Sequence, residues 1–365
     1  MVGFIGNARA VAALQRALVS PSPPHAWLFV GPEGVGKATL ARRLAQALNC
    51  DVVVPGTDVG AQKQRNDNGA LERHRDVAEP LQGFEPCGEC ARCRRIEAGI
   101  HADVQTVTVE AEEDGRLHKG ISVDQVREIE RSLVLNPFEG RMRVVIVDPA
   151  DALSEEAQNA FLKTLEEPPP QAVLVLVATR EVLLLPTVRS RCRRLELGLA
   201  RATEIEEALL GGSGAAEPTT ASSAALLARL AGGRAGWALE AARDPAALER
   251  RAALLAEAGS LGTLSLSDRF DLAERLAERF RADRAEVFAR LAGWEGWWRD
   301  VLLVQCGAAA AAVNQDMTAE LEAAAAGRPG EATYAFLTAL RSCREQLEAN
   351  VQARIALDAL LIEAP

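Results

Sequence analysis

The segment HAWLFVGPEGVGKATLARRLAQALNC (25–50) decides the fold of the first half of the chain. Its apolar start, 25–30, predicts a short β-strand. The leucines at four-residue spacing that follow predict a helix from 37 to 47. A glycine-rich loop lies between the two elements. Strand, loop and helix in this order predict the beginning of an α/β domain.

The loop in this segment nearly matches the phosphate-binding pattern G-x-x-x-x-G-K-S/T. In such a loop, backbone N–H groups surround the phosphates and the lysine neutralises them. The position of the magnesium-binding hydroxyl is Ala38, with Thr39 one place late. An ordinary glycine turn is the alternative interpretation. The candidate nucleotide-binding residues, all in a degenerate site, are Gly31, Gly34, Gly36, Lys37, Thr39 and Asp148.

Two later runs, RVVIVD (143–148) and AVLVLVAT (172–179), suit buried strands of a parallel sheet. The first continues as VVIVDPAD, so Asp148 can organise magnesium, but Pro149 occupies the next position, where a water-polarising carboxylate normally stands. Asp151 would have to reach back. Because two hydrolytic groups are missing together, we expect negligible ATPase activity of the chain alone. Whether ATP or ADP binds stays open.

The rest of the chain is predicted to be mostly helical. A helix between Ser154, a suitable cap, and Pro168 separates the last two strands. Residues 51–86 are polar and are predicted to form an excursion, and 211–223 are predicted to be a loop. Residues 244–365 are helical throughout. The predicted breaks are near 259–263 and 327–330.

Composition limits the class of protein. The chain has 365 residues and a net charge of −10, which argues against a general nucleic-acid coat protein. No apolar run reaches the roughly 18 residues of a membrane span, and the N-terminus lacks the pattern of a signal peptide. We therefore expect a cytoplasmic protein without membrane contact. Seven cysteines in such a chain suggest metal binding or burial.

PCGECARC gives the strongest metal signal, a C-x-x-C-x-x-C array. Cys87, Cys90 and Cys93, with Cys50 as the fourth ligand, predict one structural zinc. His101 is the alternative fourth ligand, and reduced surface cysteines are the alternative to a metal site. The remaining three cysteines are isolated and predict burial or no special role.

A basic run, RSRCRR, follows the last predicted strand and a Pro186 turn. It is either a solvated edge or a place where arginine is presented to a phosphate of a neighbouring molecule. GWEGWWRD places three tryptophans at i, i+3 and i+4. They favour a buried helix face over a base-stacking platform.

Together these motifs resemble a bacterial clamp loader subunit of the AAA+ superfamily. The matching segments are HAWLFVGPEGVGKATLAR, PCGECARCRRIEAGIHADV, ISVDQVREI, SEEAQNAFLKTLEEPP and LLPTVRSRC. One class in this family, gamma/tau, is an active ATPase, and another, delta-prime, typically has a degenerate phosphate loop and acidic motif. The chain resembles the delta-prime class more closely. GGRAGWAL (232–239) resembles the family's sensor 2 motif, with Gly236 at the usual arginine position and Arg234 nearby.

The resemblance implies three domains. Residues 1–198 would form an AAA+ parallel-sheet domain with a zinc module at 50–100, 199–243 a three-helix lid, and 244–365 a helical collar that mediates oligomerisation. The fold class is thus α/β plus all-α.

The resemblance also implies the function and the partners. The chain would be a rigid stator that helps load the sliding clamp on primed DNA, in one DNA polymerase III assembly with gamma/tau-type ATPase subunits and a delta subunit. Arg191 would act in trans on the ATP of the adjacent subunit. Two rivals remain: an active gamma/tau-type ATPase, and a zinc-dependent nucleic-acid-binding module with Arg189, Arg191, Arg193 and Arg194 as phosphate contacts.

Overall fold

The computed structural model describes residues 4–18, 20, 22–52, 85–110, 120–212, 219–244, 246–349 and 351–365. The described residues fall into two compact units. One unit contains those up to 208 together with 233–236, and the other contains 209–232 and those from 237 onward. Most of the predicted 51–86 excursion and the centre of the predicted 211–223 loop lie outside the described residues.

The first unit is built on a parallel sheet of five strands within the described residues. The strands are β1 (Ala26–Val30), β2 (Val104–Val107), β3 (Arg143–Val147), β4 (Ala172–Ala178) and β5 (Arg193–Glu196). Their order is β2-β3-β4-β1-β5. In this register Leu28 lies beside Leu176 of β4 on one side and Arg194 of β5 on the other. The carboxyl ends of β1, β3 and β4 therefore meet at one edge of the sheet, where ligands of parallel α/β sheets bind.

Helices cover both faces of the sheet. They are α1 (Ala8–Leu18), α2 (Lys37–Asn49), α3 (Ala91–Glu97), α4 (Val123–Leu133), α5 (Glu155–Glu166) and α6 (Pro186–Arg189). Alternate residues of β1 serve the two faces, since Trp27 and Phe29 pack with α1 and α2, whereas Leu28 packs with α4 and α5. This double burial explains why the central strands are continuous apolar runs.

Serine caps fix the starts of two of these helices. The hydroxyl of Ser154 accepts the N–H of Ala157 at 3.1 Å, as the sequence predicts for α5. Ser122 and Gln125 form a reciprocal capping box at the start of α4.

The predicted strands at 25–30, 143–148 and 172–179 are confirmed as β1, β3 and β4. The prediction that AVLVLVAT is the last strand is wrong, because β5 follows it and begins within the basic run. Arg193 and Arg194 therefore belong to an edge strand and not to a loop. β5 escapes detection because only Leu195 of its four residues is buried.

The remaining helices are α7 (Ala202–Leu210), α8 (Ala221–Leu230), α9 (Ala235–Arg243), α10 (Ala247–Ser260), α11 (Leu266–Ala282), α12 (Arg284–Gln305), α13 (Thr318–Ala326), α14 (Gly330–Glu348) and α15 (Ala353–Ile362). The helical region and both predicted breaks are confirmed. A further interruption separates α12 from α13, where a run of five alanines (308–312) forms only a short 3₁₀ turn, Ala309–Ala311.

The core of the second unit contains all three tryptophans of GWEGWWRD. Trp294, Trp297 and Trp298 are at most 2% exposed and lie in one apolar cluster with α11, α14 and α15. The burial prediction is confirmed, and these rings cannot stack on bases. The predicted fold class, α/β plus all-α, is also confirmed. The division into three domains at 198 and 243 stays a prediction. Among the described helices, none is long and apolar enough to cross a membrane.

Candidate functional site

The phosphate-type loop joins β1 to α2 at the carboxyl edge of the sheet. Gly36 has a left-handed φ of 94°, and a Cβ there would lie 2.8 Å from the ring of Phe4. At Gly31 a Cβ would lie 2.2 Å from the backbone oxygen of Leu197. A side chain at 31 would therefore clash with the backbone, and a side chain at 36 would be strained by the left-handed conformation.

The ammonium group of Lys37 is bound to oxygens of the protein itself. Its Nζ donates to the backbone oxygens of Gly31 at 2.6 Å and Pro32 at 2.8 Å, and to the hydroxyl of Thr179 at 3.1 Å. Burial lowers the pKa of Lys37, and the nearby carboxylate of Asp148 opposes this shift. A phosphate that recruits this lysine has to compete with these three oxygens.

Thr179 is a site residue that the sequence reasoning missed, although its strand was predicted. It follows β4, which lies directly beside β1 in the sheet. The available sequence signal for Thr179 was that a polar residue directly follows a predicted strand.

The acidic side of the site follows β3. Burial raises the pKa of Asp148, and Lys37 opposes the shift. The next residue is Pro149, which offers no carboxylate. Asp151 is not a free substitute, because its carboxylate accepts the N–H of Arg180 at 3.0 Å. The structure therefore brings Asp148 towards the loop lysine without placing an unengaged carboxylate of this segment as a base.

The hydroxyl nearest to the loop lysine in sequence, that of Thr39, is also displaced from the magnesium-binding position. Lys37 is the first residue of α2, so Ala38 and Thr39 are the second and third. Successive residues of a helix are rotated by about 100°. Thr39 is exposed and cannot occupy the direction in which Ala38 points.

Residues 233–236 contact the phosphate-type loop. The N–H of Gly236 donates to the backbone oxygen of Gly34 at 2.8 Å, and a Cβ at 236 would lie 3.1 Å from that oxygen. The side chain of Arg234 runs beside Gly34. The glycine at 236 therefore permits a backbone contact that a larger residue would crowd.

The four predicted cysteine ligands form one cluster. The sulfurs of Cys50, Cys87, Cys90 and Cys93 all lie within 4.8 Å of one another. Cys50 ends α2, Cys90 caps α3, and Gly88 makes the left-handed turn between the first two cysteines of the array. Backbone N–H groups point at the sulfurs, since Cys90 donates to Cys87 at 3.3 Å and Cys93 donates to Cys90 at 3.4 Å.

This cluster fits a tetrahedral zinc ion. Sulfurs at about 2.3 Å from one zinc are roughly 3.8 Å apart, and the Cys50–Cys87 and Cys87–Cys93 sulfur distances are 3.5 and 4.0 Å. Burial raises the pKa of Cys50 and Cys93. Burial also opposes ionisation of Cys87, but hydrogen bonds from the N–H groups of Cys90 and Glu89 lower its pKa to about 7. The four thiols can hold a metal such as zinc.

His101, the alternative fourth ligand, is not a member of the cysteine group. Its Nδ1 accepts the N–H of Asp103 at 3.1 Å, and its Nε2 lies 3.8 Å from a carboxylate oxygen of Glu139. The side chain is buried against these groups, so the geometry favours Cys50.

Arg191 lies on the surface just after α6, close to the end of α5. One guanidinium nitrogen donates to the backbone oxygen of Thr187 at 2.9 Å, and another lies 2.5 Å from the carboxylate of Glu166. The side chain is 35% exposed. The sequence reasoning did not find this carboxylate partner, which is 25 positions away in the chain.

The other arginines of the basic run differ in environment. Arg194 is paired with Glu181 and Glu196 at 2.7 and 2.8 Å. Arg193 is exposed on β5, whereas the Nε atom of Arg189 is buried. Pairing with carboxylates reduces the positive field that a nucleic-acid phosphate contact requires, which weakens the nucleic-acid-module alternative. Of the isolated cysteines, Cys343 is buried, Cys192 is half-buried and Cys306 is exposed.

Comparisons with known proteins find similarity to subunits of DNA polymerase III. Residues 59–200 match the family described as DNA polymerase III, delta subunit. A DNA polymerase III subunit gamma from Buchnera aphidicola subsp. Schizaphis graminum is 31% identical over 203 residues, covering 55% of this chain and 46% of that protein. The subunit tau of Bacillus subtilis is 33% identical over 192 residues, covering 53% of this chain and 28% of that protein. The subunit delta' of Pseudomonas aeruginosa is 35% identical over 168 residues, covering 46% of this chain and 41% of that protein.

The matched parts span less than half the length of each of these relatives. Gamma, tau and delta' proteins match at similar identity, so these similarities do not separate the three kinds. By its sequence, the chain is thus related to subunits of DNA polymerase III of the gamma, tau and delta-prime kinds.

Proposed function

We propose that this chain is a delta-prime-type subunit of a bacterial clamp loader, which does not hydrolyse ATP itself. The observation that carries the proposal is the state of the phosphate-type loop. Its glycines and Lys37 are in place, but Ala38 and Pro149 stand where a magnesium-binding hydroxyl and a water-polarising carboxylate belong. The ammonium of Lys37 is already bound to two loop carbonyls and Thr179. A site of this kind can bind a phosphate weakly but lacks the groups for turnover.

The catalytic contribution of the proposed subunit comes from Arg191. Its guanidinium is at the surface, and its backbone is fixed next to α5. When the bond to the γ-phosphoryl group of ATP breaks, charge on the phosphoryl oxygens is stabilised by a guanidinium held nearby. We assign Arg191 this role towards ATP bound by an adjacent gamma-type subunit.

The four cysteines would hold one zinc ion with a structural role. Because all four ligands come from the protein, no coordination position is left for substrate. The cluster joins the end of α2 to α3, and the amide of Gln46 donates to the backbone oxygen of Cys93 at 3.0 Å across the same junction. The metal would thereby fix the module that follows the loop helix.

The proposal implies an assembly with gamma/tau-type ATPase subunits and a delta subunit. Through that assembly the chain would act on the sliding clamp and primed DNA, in the cytoplasm. In this arrangement residues 1–198 form the AAA+ domain, 199–243 the lid and 244–365 the collar that holds the subunits together.

The second candidate function is that of an active gamma/tau-type ATPase. It is favoured by the gamma and tau relatives, which are 31% and 33% identical to the chain. It requires Thr39 or Asp151 to replace the missing groups, but Thr39 is on a different side of α2 from Ala38, and Asp151 is engaged by Arg180.

A magnesium-dependent ATPase assay of the purified chain separates the two candidates. We expect no turnover above a buffer control at saturating ATP, whatever the affinity for nucleotide. Turnover that is lost in Lys37→Ala would overturn the proposal and establish the chain as an ATPase.

A further inference from the structure

The anchoring of Arg191 begins at Gln158 of α5, which is 4% exposed. Its side-chain oxygen accepts the N–H of Leu185 at 2.6 Å, and its side-chain nitrogen donates to the backbone oxygens of Leu183 and Leu153, both at 3.1 Å. These bonds attach the segment before α6 to α5. The backbone that carries Arg191 is therefore fixed relative to the end of α5, where Glu166 is the last helical residue.

The position of Glu166 favours a cationic partner. A carboxylate in the last turn of a helix meets the negative end of the helix dipole, so it is disfavoured without a nearby cation. Arg191 supplies that cation at 2.5 Å. Its own N–H donates to the backbone oxygen of Val188, whose side chain is buried. Both the carboxylate and the helix end thus attract the same guanidinium.

Engagement with a phosphate changes this balance. A guanidinium has five N–H donors and cannot lose its charge, so Arg191 can keep its bond to the backbone oxygen of Thr187 and direct other donors elsewhere. The carboxylate of Glu166, however, would repel an approaching phosphate of the same sign. The two anions compete for one cation.

We propose that Glu166 is a positioning residue that keeps the guanidinium of Arg191 paired at the end of α5 until a phosphate replaces it. The arginine engages the terminal phosphate of a nucleoside triphosphate on the adjacent subunit only by exchanging Glu166 for that phosphate. Glu166 therefore sets how strongly this edge engages a nucleotide-loaded neighbour. This inference rests on the proposed function, because the competing phosphate is the one that function assigns to Arg191.

The chain offers a matched control one position away. Glu167 is also exposed and follows the end of α5. Glu167→Gln therefore makes the same change of charge next to the Glu166–Arg191 pair. Exposed ion pairs contribute an amount that corresponds to about two- to fivefold in an equilibrium constant. We therefore expect effects of that size from Glu166→Gln and little change from Glu167→Gln.

The first measurement uses the full chain alone. Phenylglyoxal labels accessible arginines, and peptide mass spectrometry gives the rate at Arg191. We expect this rate to rise about two- to fivefold in Glu166→Gln and to be unchanged in Glu167→Gln. Equal rates in wild type and Glu166→Gln would overturn the inference, whatever role Arg191 has in the assembly.

The second measurement uses the complex reconstituted with a gamma-type ATPase subunit. The half-saturating concentration of this chain for ATP hydrolysis should fall about two- to fivefold in Glu166→Gln, with the maximal rate unchanged. The effect should vanish in the Arg191→Ala background, as a double-mutant cycle requires of a direct coupling. An effect that persists there would come from the helix end alone and would overturn the exchange.

The two measurements distinguish a failure of the proposed function from a failure of the inference about Glu166. If Arg191→Ala leaves the complex at the wild-type rate, the proposed function is wrong and the phosphate exchange falls with it. If Arg191→Ala lowers the rate but Glu166→Gln changes neither the half-saturating concentration nor the labelling rate of Arg191, the proposed function stands. The positioning role of Glu166 is then wrong.

Discussion

Replacement of Gln158 by Met should loosen the segment that carries Arg191 without unfolding the sheet unit. The two side chains have similar volume, so packing of the buried site is largely kept. The substitution removes the acceptor of the Leu185 N–H and the donor to the backbone oxygens of Leu183 and Leu153. A buried donor without a partner costs about 1–3 kcal/mol.

That cost sets the size of the expected effect. If the whole cost lowers the free energy of local opening of the segment before α6, the amide hydrogen of Leu185 should exchange with solvent about 5- to 150-fold faster than in wild type. Amides of β3 and β4 should keep their wild-type exchange rates, because these side-chain bonds of Gln158 go to Leu153, Leu183 and Leu185, which lie outside both strands.

Hydrogen-exchange mass spectrometry of the full chain measures this directly, with peptides that cover the end of α5 and α6. Gln346→Met is the matched control, since Gln346 is exposed on α14 and bonds to the hydroxyl of Ser342. Its effect should stay within about 0.5 kcal/mol. Unchanged exchange at Leu185 in Gln158→Met would refute the view that this amide anchors the segment.

Three further predictions concern the metal, the loop and acid stability. Wild type should contain one zinc per chain by elemental analysis, and Cys90→Ser should lose it while Cys306→Ser keeps it; a folded, metal-free wild type would contradict the site. Gly31→Ala should lower the free energy of unfolding by about 1–3 kcal/mol, because its Cβ would lie 2.2 Å from the backbone oxygen of the residue after β5, whereas Gly198→Ala has open space and should be near neutral in a denaturant titration. Burial raises the pKa of Asp103, but three backbone N–H bonds outweigh it and hold that pKa below its usual value. Its contribution is therefore present above pH about 4 and is lost as the pH falls further, so the stability difference between wild type and Asp103→Asn should shrink below that pH, and a constant difference would contradict it.

The sequence predicts the central part of the sheet because its signals are local. β3 and β4 are buried on both faces and appear as continuous apolar runs, and the Ser154 cap marks the start of α5. β2 and β5 are short edge strands of four residues with exposed polar side chains, so no apolar run reveals them. For the same reason Arg193 could not be assigned to a strand in advance.

The candidate site divides in the same way. The spacing of the cysteines identifies the cluster because a structural metal site requires few residues at short intervals. The bond between Lys37 and Thr179 depends instead on β4 lying beside β1, which the sequence does not state. The pair of Glu166 and Arg191 depends on how α6 docks on α5, and no local pattern encodes a contact between those two positions.

In the proposed function, this chain lacks ATP turnover of its own and contributes Arg191 to a neighbouring site. The most direct test measures ATP hydrolysis by a complex reconstituted with a gamma-type ATPase subunit, clamp and primed DNA, using Lys37→Ala, Arg191→Ala and Arg193→Ala versions of this chain. We expect Lys37→Ala and Arg193→Ala to hydrolyse ATP near the wild-type rate. Arg191→Ala should be slower, but by less than the 10³–10⁵ of single-site arginine fingers, because other sites in the assembly continue to work. A rate that collapses in Lys37→Ala and is unchanged in Arg191→Ala would contradict the claim and identify the chain as an ATPase itself.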